Sequence, residues 1–479
     1  MNAWMSKAMG RCLGRAGLVA AGWLFAASGL AQVVDPTFTA TTNGDVNVVV
    51  PMPGGKFLIG GEFTLVNGQT RWAVARLNAD GSLDSAFVPP LFDNQVNALV
   101  VMADGRVVVG GEFENVAGAT RRYVARLNAD GSLDATFQPN IAYGVTANVT
   151  RLVVQSDNKV VIAGRFDNID GIARSRLARL NANGSLDSGF PDPEIDDSVE
   201  AMALQPDGRI LIGGDFTEVH GATREGVARL LANGALDAGF VDPGVSFVAV
   251  MALQPDGKIL IGGAFGDVGN LVRPYLARLL GNGQVDGSLG DAGIRFGGRV
   301  RQIQPAVDGR ILISGDWTWL GESSGAARVV VVSAAGVRDL GFSDVLMSGY
   351  AMSMALHAGG RPVVGGFFTA PRPWLFAINT QDAATEDTLL VDGNSVYWLR
   401  DGLAPALLAP PQLETSSDGI VYTPVGTMTA VTEGWRVTGL SPPGGAAMQH
   451  YRARGKVNGG GYVDVQWTPS TEVFRDGFE

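Results

Sequence analysis

The stretch LQPDGRILIGGDF, Leu204 to Phe216, returns forty-nine residues later as LQPDGKILIGGAF, Leu253 to Phe265. The pair belongs to a longer series. Aligning on the second glycine gives Gly61, Gly111, Gly164, Gly214, Gly263, Gly315 and Gly366, at spacings of 50, 53, 50, 49, 52 and 51 residues. Self-similarity at a fixed period of this size is the mark of a solenoid, a propeller or an array. The text inside one unit, Val96 to Pro139, decides between them. VNALVVMAD alternates, Asp104-Gly105 supplies a hairpin turn, and RVVVGGEF is β-branched and apolar. A loop, ENVAGATR, leads to YVARL, a second turn at Asn128-Ala129-Asp130-Gly131, and SLDATF. That predicts four short antiparallel strands per unit with no helical period, the blade of a β-propeller.

The fold expected is therefore all-β: a seven-bladed propeller followed by a small β-sandwich-like domain. The Gly pair falls inside a strand, where glycine costs stability unless a bulge or a close neighbour requires it. Val34-Asp35-Pro36-Thr37-Phe38 resembles the last segment of a unit, Leu133 to Phe137, yet precedes the first full unit. One reading makes it the displaced strand that completes blade seven and hides two terminal edges. The other makes it a worn copy with no pairing role.

These repeats resemble the delta-60 repeat family of bacterial exported proteins, through LQPDGKILIGGAF and VARLNADGSLDATF (Val124 to Phe137). The resemblance covers about residues 33–385. Units six and seven depart from it, with LISGDWTWL and PVVGGFFTA. It implies a seven-bladed propeller in an exported bacterial protein and no established activity.

Residues 1–31 read as a signal peptide: Lys7, Arg11 and Arg15, then the apolar run Gly17 to Gly29, with cleavage between Ala31 and Gln32. An uncleaved N-terminal anchor is the other reading. Cys12, the only cysteine, would leave with that segment. The propeller is assigned to 32–385 and the sandwich to 386–471, where alternating segments such as SVYWLRDG and GGYVDVQW stand between Pro and Gly clusters. The tail, 472–479, ends Phe474-Arg475-Asp476-Gly477-Phe478-Glu479. It is similar to endings found on exported Gram-negative proteins, which implies a sorting tag at Phe474, Asp476, Gly477, Phe478 and Glu479. A final strand or frayed tail is the equal alternative.

The chain has 479 residues and a formal net charge of -11. Without the first 31 residues, 33 basic stand against 47 acidic ones, or -14. Nucleic acid and anionic membrane surfaces are excluded as partners on that balance. No catalytic constellation is found. His220, His357 and His450 show no metal-ligand spacing, and no nucleophile elbow or phosphate loop occurs. Asn128, Asp130 and Asp134 hint at calcium, yet turn capping accounts for them and no cofactor is assigned. Arg76, Arg126, Arg179, Arg229 and Arg278 on the third strand are expected to pair with Glu62, Glu112, Asp215 and Asp316 after the Gly pair.

The expected function is a secreted or cell-surface binding or scaffold protein, monomeric, with an unidentified protein or glycan partner and no transmembrane span in the mature chain. It is read as a non-enzyme. The alternatives are a carbohydrate-active or other hydrolase or lyase using propeller-mouth carboxylates, and a purely structural envelope or matrix protein. Any binding face is sought where the repeat breaks: Trp317, Trp319, Trp374 and Phe367-Phe368, the long loops, and the tail.

Overall fold

Alternating apolar segments joined by Gly-bearing turns fold as written. The computed structural model describes residues 34–142, 147–295, 298–319, 326–340, 342, 344–357, 360–379, 387–392, 395–400, 405–417, 421–431, 434–438, 440, 450–458 and 461–467. The expected cleavage site, Ala31 and Gln32, and the tail residues Phe474, Asp476, Gly477, Phe478 and Glu479 lie outside them.

Seven antiparallel sheets follow one another, each built around a middle strand that carries one of the seven aligned glycines. Blade two is representative. Its inner strand Val96–Val101 pairs with the middle strand Val107–Gly111, which pairs with the outer strand Val124–Leu127. Each inner strand packs against the next, and the seventh, Tyr350–Leu356, packs against the first, Val46–Pro51. The ring is closed. Apolar side chains fill the gaps between consecutive sheets, as in the cluster of Val101, Val107 and Phe113 from blade two with Val50, Leu58 and Val74 from blade one.

The Gly pair has two separate jobs. A Cβ on the first glycine would strike the next blade: 2.7 Å from Val96 Cγ1 at Gly60, 2.8 Å from Val149 Cγ1 at Gly110, and 2.6 Å from Val46 Cγ1 at Gly365. The second glycine faces a bulge in its own inner strand. The register slips between Val96 and Ala98, and a Cβ on Gly111 would collide with the Gln95 carbonyl oxygen. Both reasons that could justify glycine in a strand therefore hold, at adjacent positions.

The fourth segment departs from expectation. SLDATF does not form a strand. Leu133 makes a single bridge to Leu127, and the chain then turns. The cause is Asp134, whose Oδ1 accepts the Thr136 N–H at 2.9 Å while its carbonyl accepts from Phe137. That local turn competes with strand extension. The long loop after each middle strand also holds structure of its own in blades one to five. In blade one Leu65–Val66 and Gln69–Thr70 form a short hairpin around Asn67 and Gly68, both at positive φ.

The N-terminal segment does complete blade seven. Val34 bridges Ile378, and the Asp35 N–H donates to the Ala377 carbonyl at 2.9 Å. Phe38 is fully buried against Phe57, and the Thr39 N–H donates to Asp80 of blade one at 2.8 Å.

From Asp387 two four-stranded antiparallel sheets appear. One joins Asp387–Asp392, Ser395–Arg400, Gly434–Val437 and Thr429–Val431 in that order. The other joins Thr423–Thr427, Gln412–Ser416, His450–Lys456 and Tyr462–Trp467. They share a core around Trp398, Leu413, Tyr451 and Val463. This region forms one compact unit with the blades rather than a separate body.

Candidate functional site

Arginines occupy two settings in this ring, and their chemistry differs. The first is the rim. Arg126, almost fully buried, places Nε 2.7 Å from Asp134 Oδ2 and stacks its guanidinium 4.7 Å from the Phe137 ring centre. Its Nη1 then donates to the Ala182 carbonyl of blade three at 2.6 Å. Arg76, Arg179, Arg229 and Arg278 repeat the ion pair with Asp84, Asp187, Asp237 and Asp286, the first three also stacking on Phe87, Phe190 and Phe240, and each donates to a carbonyl in the next blade's second turn. Each arginine thus fastens its own blade to its neighbour.

This overturns the expected pairing with Glu62, Glu112, Asp215 and Asp316. Those acids stand beside the start of the inner strand, as when the Glu112 N–H bonds the Gln95 carbonyl at 3.0 Å, and they do not reach the outer strand. Among the described residues, Asp316 alone of these four forms an ion pair, with Arg301 at 2.9 Å. The true partner is the Asp of SLD, eight residues after each arginine, on the segment that bridges the same strand. Burial alone would push the Asp134 carboxyl up. Bonds from Thr136 and Arg126 outweigh it and bring the group down to about 2.

Blades six and seven draw the cation from elsewhere. Their outer strands carry Val331 and Ala377 where Arg stands in blades one to five. In blade seven, Arg361 at the start of the middle strand reaches Asp35 at 2.6 Å, lies over Phe38, and donates to Ala79 of blade one. In blade six Arg310 pairs with Asp339 at 3.2 Å.

The second setting is the central channel. The inner strands enclose a cavity of about 200 Å³ whose walls include Leu99, Leu152, Met202, Val250 and Met251. One end is shut by the C-terminal region, through Leu408, Lys456, Val457 and Asn458. The Asn458 side chain mimics a strand partner: Oδ1 accepts the Leu253 N–H at 3.0 Å and Nδ2 donates to the Leu253 carbonyl at 2.9 Å. Further ties hold the cap on this face. Ala306 bridges Pro405, and Asp464 Oδ1 accepts the Gly54 N–H at 2.7 Å. Burial pushes the Asp464 carboxyl up, against that bond and the charges of Arg452 and Arg454.

Among the described residues lining the cavity only Arg151 and Lys456 are charged, and both are cations. The Arg151 guanidinium donates to the Thr150 carbonyl at 2.8 Å and pairs with no carboxylate among the described residues. Burial pulls its pKa down, and Glu200 acts the other way. Burial likewise pulls the Lys456 ammonium down. Towards the open end the polar side chains gather. Asn47 Nδ2 donates to Asn97 Oδ1 at 3.1 Å, and Arg301 lies 4.0 Å over the Tyr350 ring, itself 5.8 Å from Phe367. Asp45 sits here too, its carboxyl pushed up by burial and by Glu62.

The aromatics expected at a binding face divide. Trp317 and Phe368 are core, and Trp374 packs beneath the N-terminal segment. Phe367 is exposed. The Trp319 side chain lies outside the described residues. In the Asp turns, Asp130 Oδ1 accepts the N–H and hydroxyl of Ser132, and Asp134 is committed to Arg126 and Thr136, so turn capping and ion pairing occupy both. Among the described residues no group of three or more His, Cys, Asp and Glu side chains could hold a metal ion. The His220 ring bonds the Gly234 carbonyl at 3.0 Å. Burial and nearby Arg361 bring His357, packed 5.6 Å from Phe57, down to about 4. No described helix is long and apolar enough to cross a membrane.

Residues 53–87, 103–137, 155–190, 205–240 and 254–288 match the family described as a domain of unknown function (DUF5122) β-propeller. The chain is a β-propeller repeat protein. Blades one to five carry the matches, the same five whose outer strand supplies the fastening arginine. The repeat protein is also similar to solved propellers. The WD40 β-propeller domain of Doa1 is 12% identical, over 72% of this chain and 97% of that one, with a TM-score of 0.37. A calcium-binding protein, regucalcin, from Agrobacterium tumefaciens is 15% identical over 61% and 90%, with a TM-score of 0.35. A catalytically inactive virginiamycin B lyase from Staphylococcus aureus, solved with quinupristin, is 12% identical over 64% and 91%, with a TM-score of 0.31. No curated protein matches the chain.

Proposed function

We propose that this propeller is an exported binding protein that receives its ligand through the open end of the central channel. The observation that carries the reading is the cap. Asn458 and its neighbours shut one end, so the inner strands form a blind pocket with polar groups at its entrance and apolar walls within. A concave, mostly apolar site with a few convergent polar groups is the usual form of a ligand pocket. The rim arginines support the same reading, because they hold the walls in register without entering the channel. Export rests on the N-terminal basic and apolar run, Lys7 to Gly29.

The test is to incubate the purified protein with a panel of small metabolites and short glycans, then analyse both the bound and the free fractions. Ligand recovered chemically unchanged from the protein supports a binding role. Steady conversion of any member, lost when the cap is deleted from Asp387 onward, would overturn it in favour of an enzyme.

A further inference from the structure

We propose that the capped channel binds a small anionic ligand with an apolar body, and that Arg151 and Lys456 are the partners of its charge. This rests on the channel being the ligand site and adds the chemistry of the ligand. The protein is acidic, at -11, yet the charged residues that line the cavity are two cations. Removing a cation from water is costly unless an opposite charge compensates it. On the rim the protein observes that rule in blades one to five, placing an aspartate 2.7 or 2.8 Å from each outer-strand arginine. In the channel it does not.

The Arg151 guanidinium meets one backbone carbonyl and feels Glu200 only from beyond ion-pair distance. The Lys456 ammonium has no acid within ion-pair distance among the described residues, and it comes from the cap rather than from a blade. A carboxylate reaching either cation would supply what it lacks, and charge-assisted bonds of this kind are the strong ones. The apolar walls, among them Leu152, Met202 and Met251, suit an apolar body. The cavity, about 200 Å³, is smaller than the roughly 300–1,000 Å³ of drug-sized sites, which limits the ligand to a short chain or single ring. A stacked sugar fits less well, because Tyr350 and Phe367 lie outside the cavity lining.

The experiment is calorimetric titration of the full chain with three probes. Octanoate carries charge and body, 1-octanol the body without the charge, and acetate the charge without the body. Octanoate is expected to bind one to one, with octanol and acetate at least tenfold weaker. Arg151→Gln and Lys456→Gln should each weaken octanoate at least tenfold while leaving the unfolding midpoint unchanged or raised. Ala249→Trp, which fills the channel from blade five, should abolish binding. Octanol binding as tightly as octanoate, and blocked by Ala249→Trp, would overturn the anionic assignment and keep the channel as the site. Octanoate binding that survives Ala249→Trp, or no binding by any probe, would overturn this proposal. The second of those outcomes, with no ligand found in the panel either, would also remove the channel reading.

Discussion

Arg126 and Arg151 stand on neighbouring blades of one ring and are treated in opposite ways. Arg126 has a carboxylate, an aromatic face and a carbonyl on the next blade. Arg151 has one local carbonyl and the open channel. The same residue type is a fastener on the rim and an unmatched charge in the centre. What separates them is the company each keeps. A charge that brings its own partner is explained by the fold, and a half-buried one that lacks a partner points outward to a ligand.

The comparison breaks most visibly at the rim. Arg126→Met should cost about 3 kcal/mol in denaturant unfolding, because Asp134 keeps only the longer contact to Arg106 at 3.5 Å and the Ala182 carbonyl loses its donor. A loss below about 1 kcal/mol would mean the arrangement carries no weight in stability. Phe38→Ala attacks ring closure at the N-terminal segment, and a fully buried Phe should cost a similar 3–5 kcal/mol.

Gly110→Val probes the contact between blades, where a Cβ would sit 2.8 Å from Val149 Cγ1. Overpacking of this kind should cost about 1–3 kcal/mol, whereas the same change at the exposed turn residue Gly118, where nothing lies within 4 Å, meets backbone strain alone.

Acid sharpens the picture by its timing. His357 is held neutral in the fold at about 4, against an ordinary 6.5. The unfolded chain binds that proton first, so stability should fall as pH drops from 6.5 towards 4, by up to about 3 kcal/mol at 1.36 kcal/mol per unit. The rim aspartates act later. Asp84 and Asp134 lie near 2, against an ordinary 3.8, so their contribution is present above 3.8 and is lost as pH falls through 2. His357→Phe should remove the first phase of an acid titration of stability and leave the second.

Much of the ring was legible in the sequence because a repeat states its rule several times. Seven glycines at a near-constant spacing mark the seven middle strands, and Val34 to Phe38 resembles a unit's last segment because it serves as one. The rim pairing was misread. Adjacent strands suggested Glu112 for Arg126, but the aspartate that pairs with it follows in sequence, brought back by the turn that Asp134 itself caps. An arginine and an aspartate eight residues apart in five units was the signal available. The site was not legible. Arg151 departs from the template at a position filled by Val48, Ala98 and Ala201 in other blades, and its lack of a partner appears only when the strands close a ring. Lys456 lies some three hundred residues away in sequence, and only folding places both at one cavity.

The most direct test sets the two arginines side by side. Thermal unfolding of Arg126→Met and Arg151→Met is measured with and without octanoate. The account predicts that Arg126→Met melts earlier and is still stabilised by octanoate, while Arg151→Met melts no earlier than the parent and gains nothing from octanoate. The reverse pattern, with Arg151→Met unstable and Arg126→Met blind to octanoate, would contradict it.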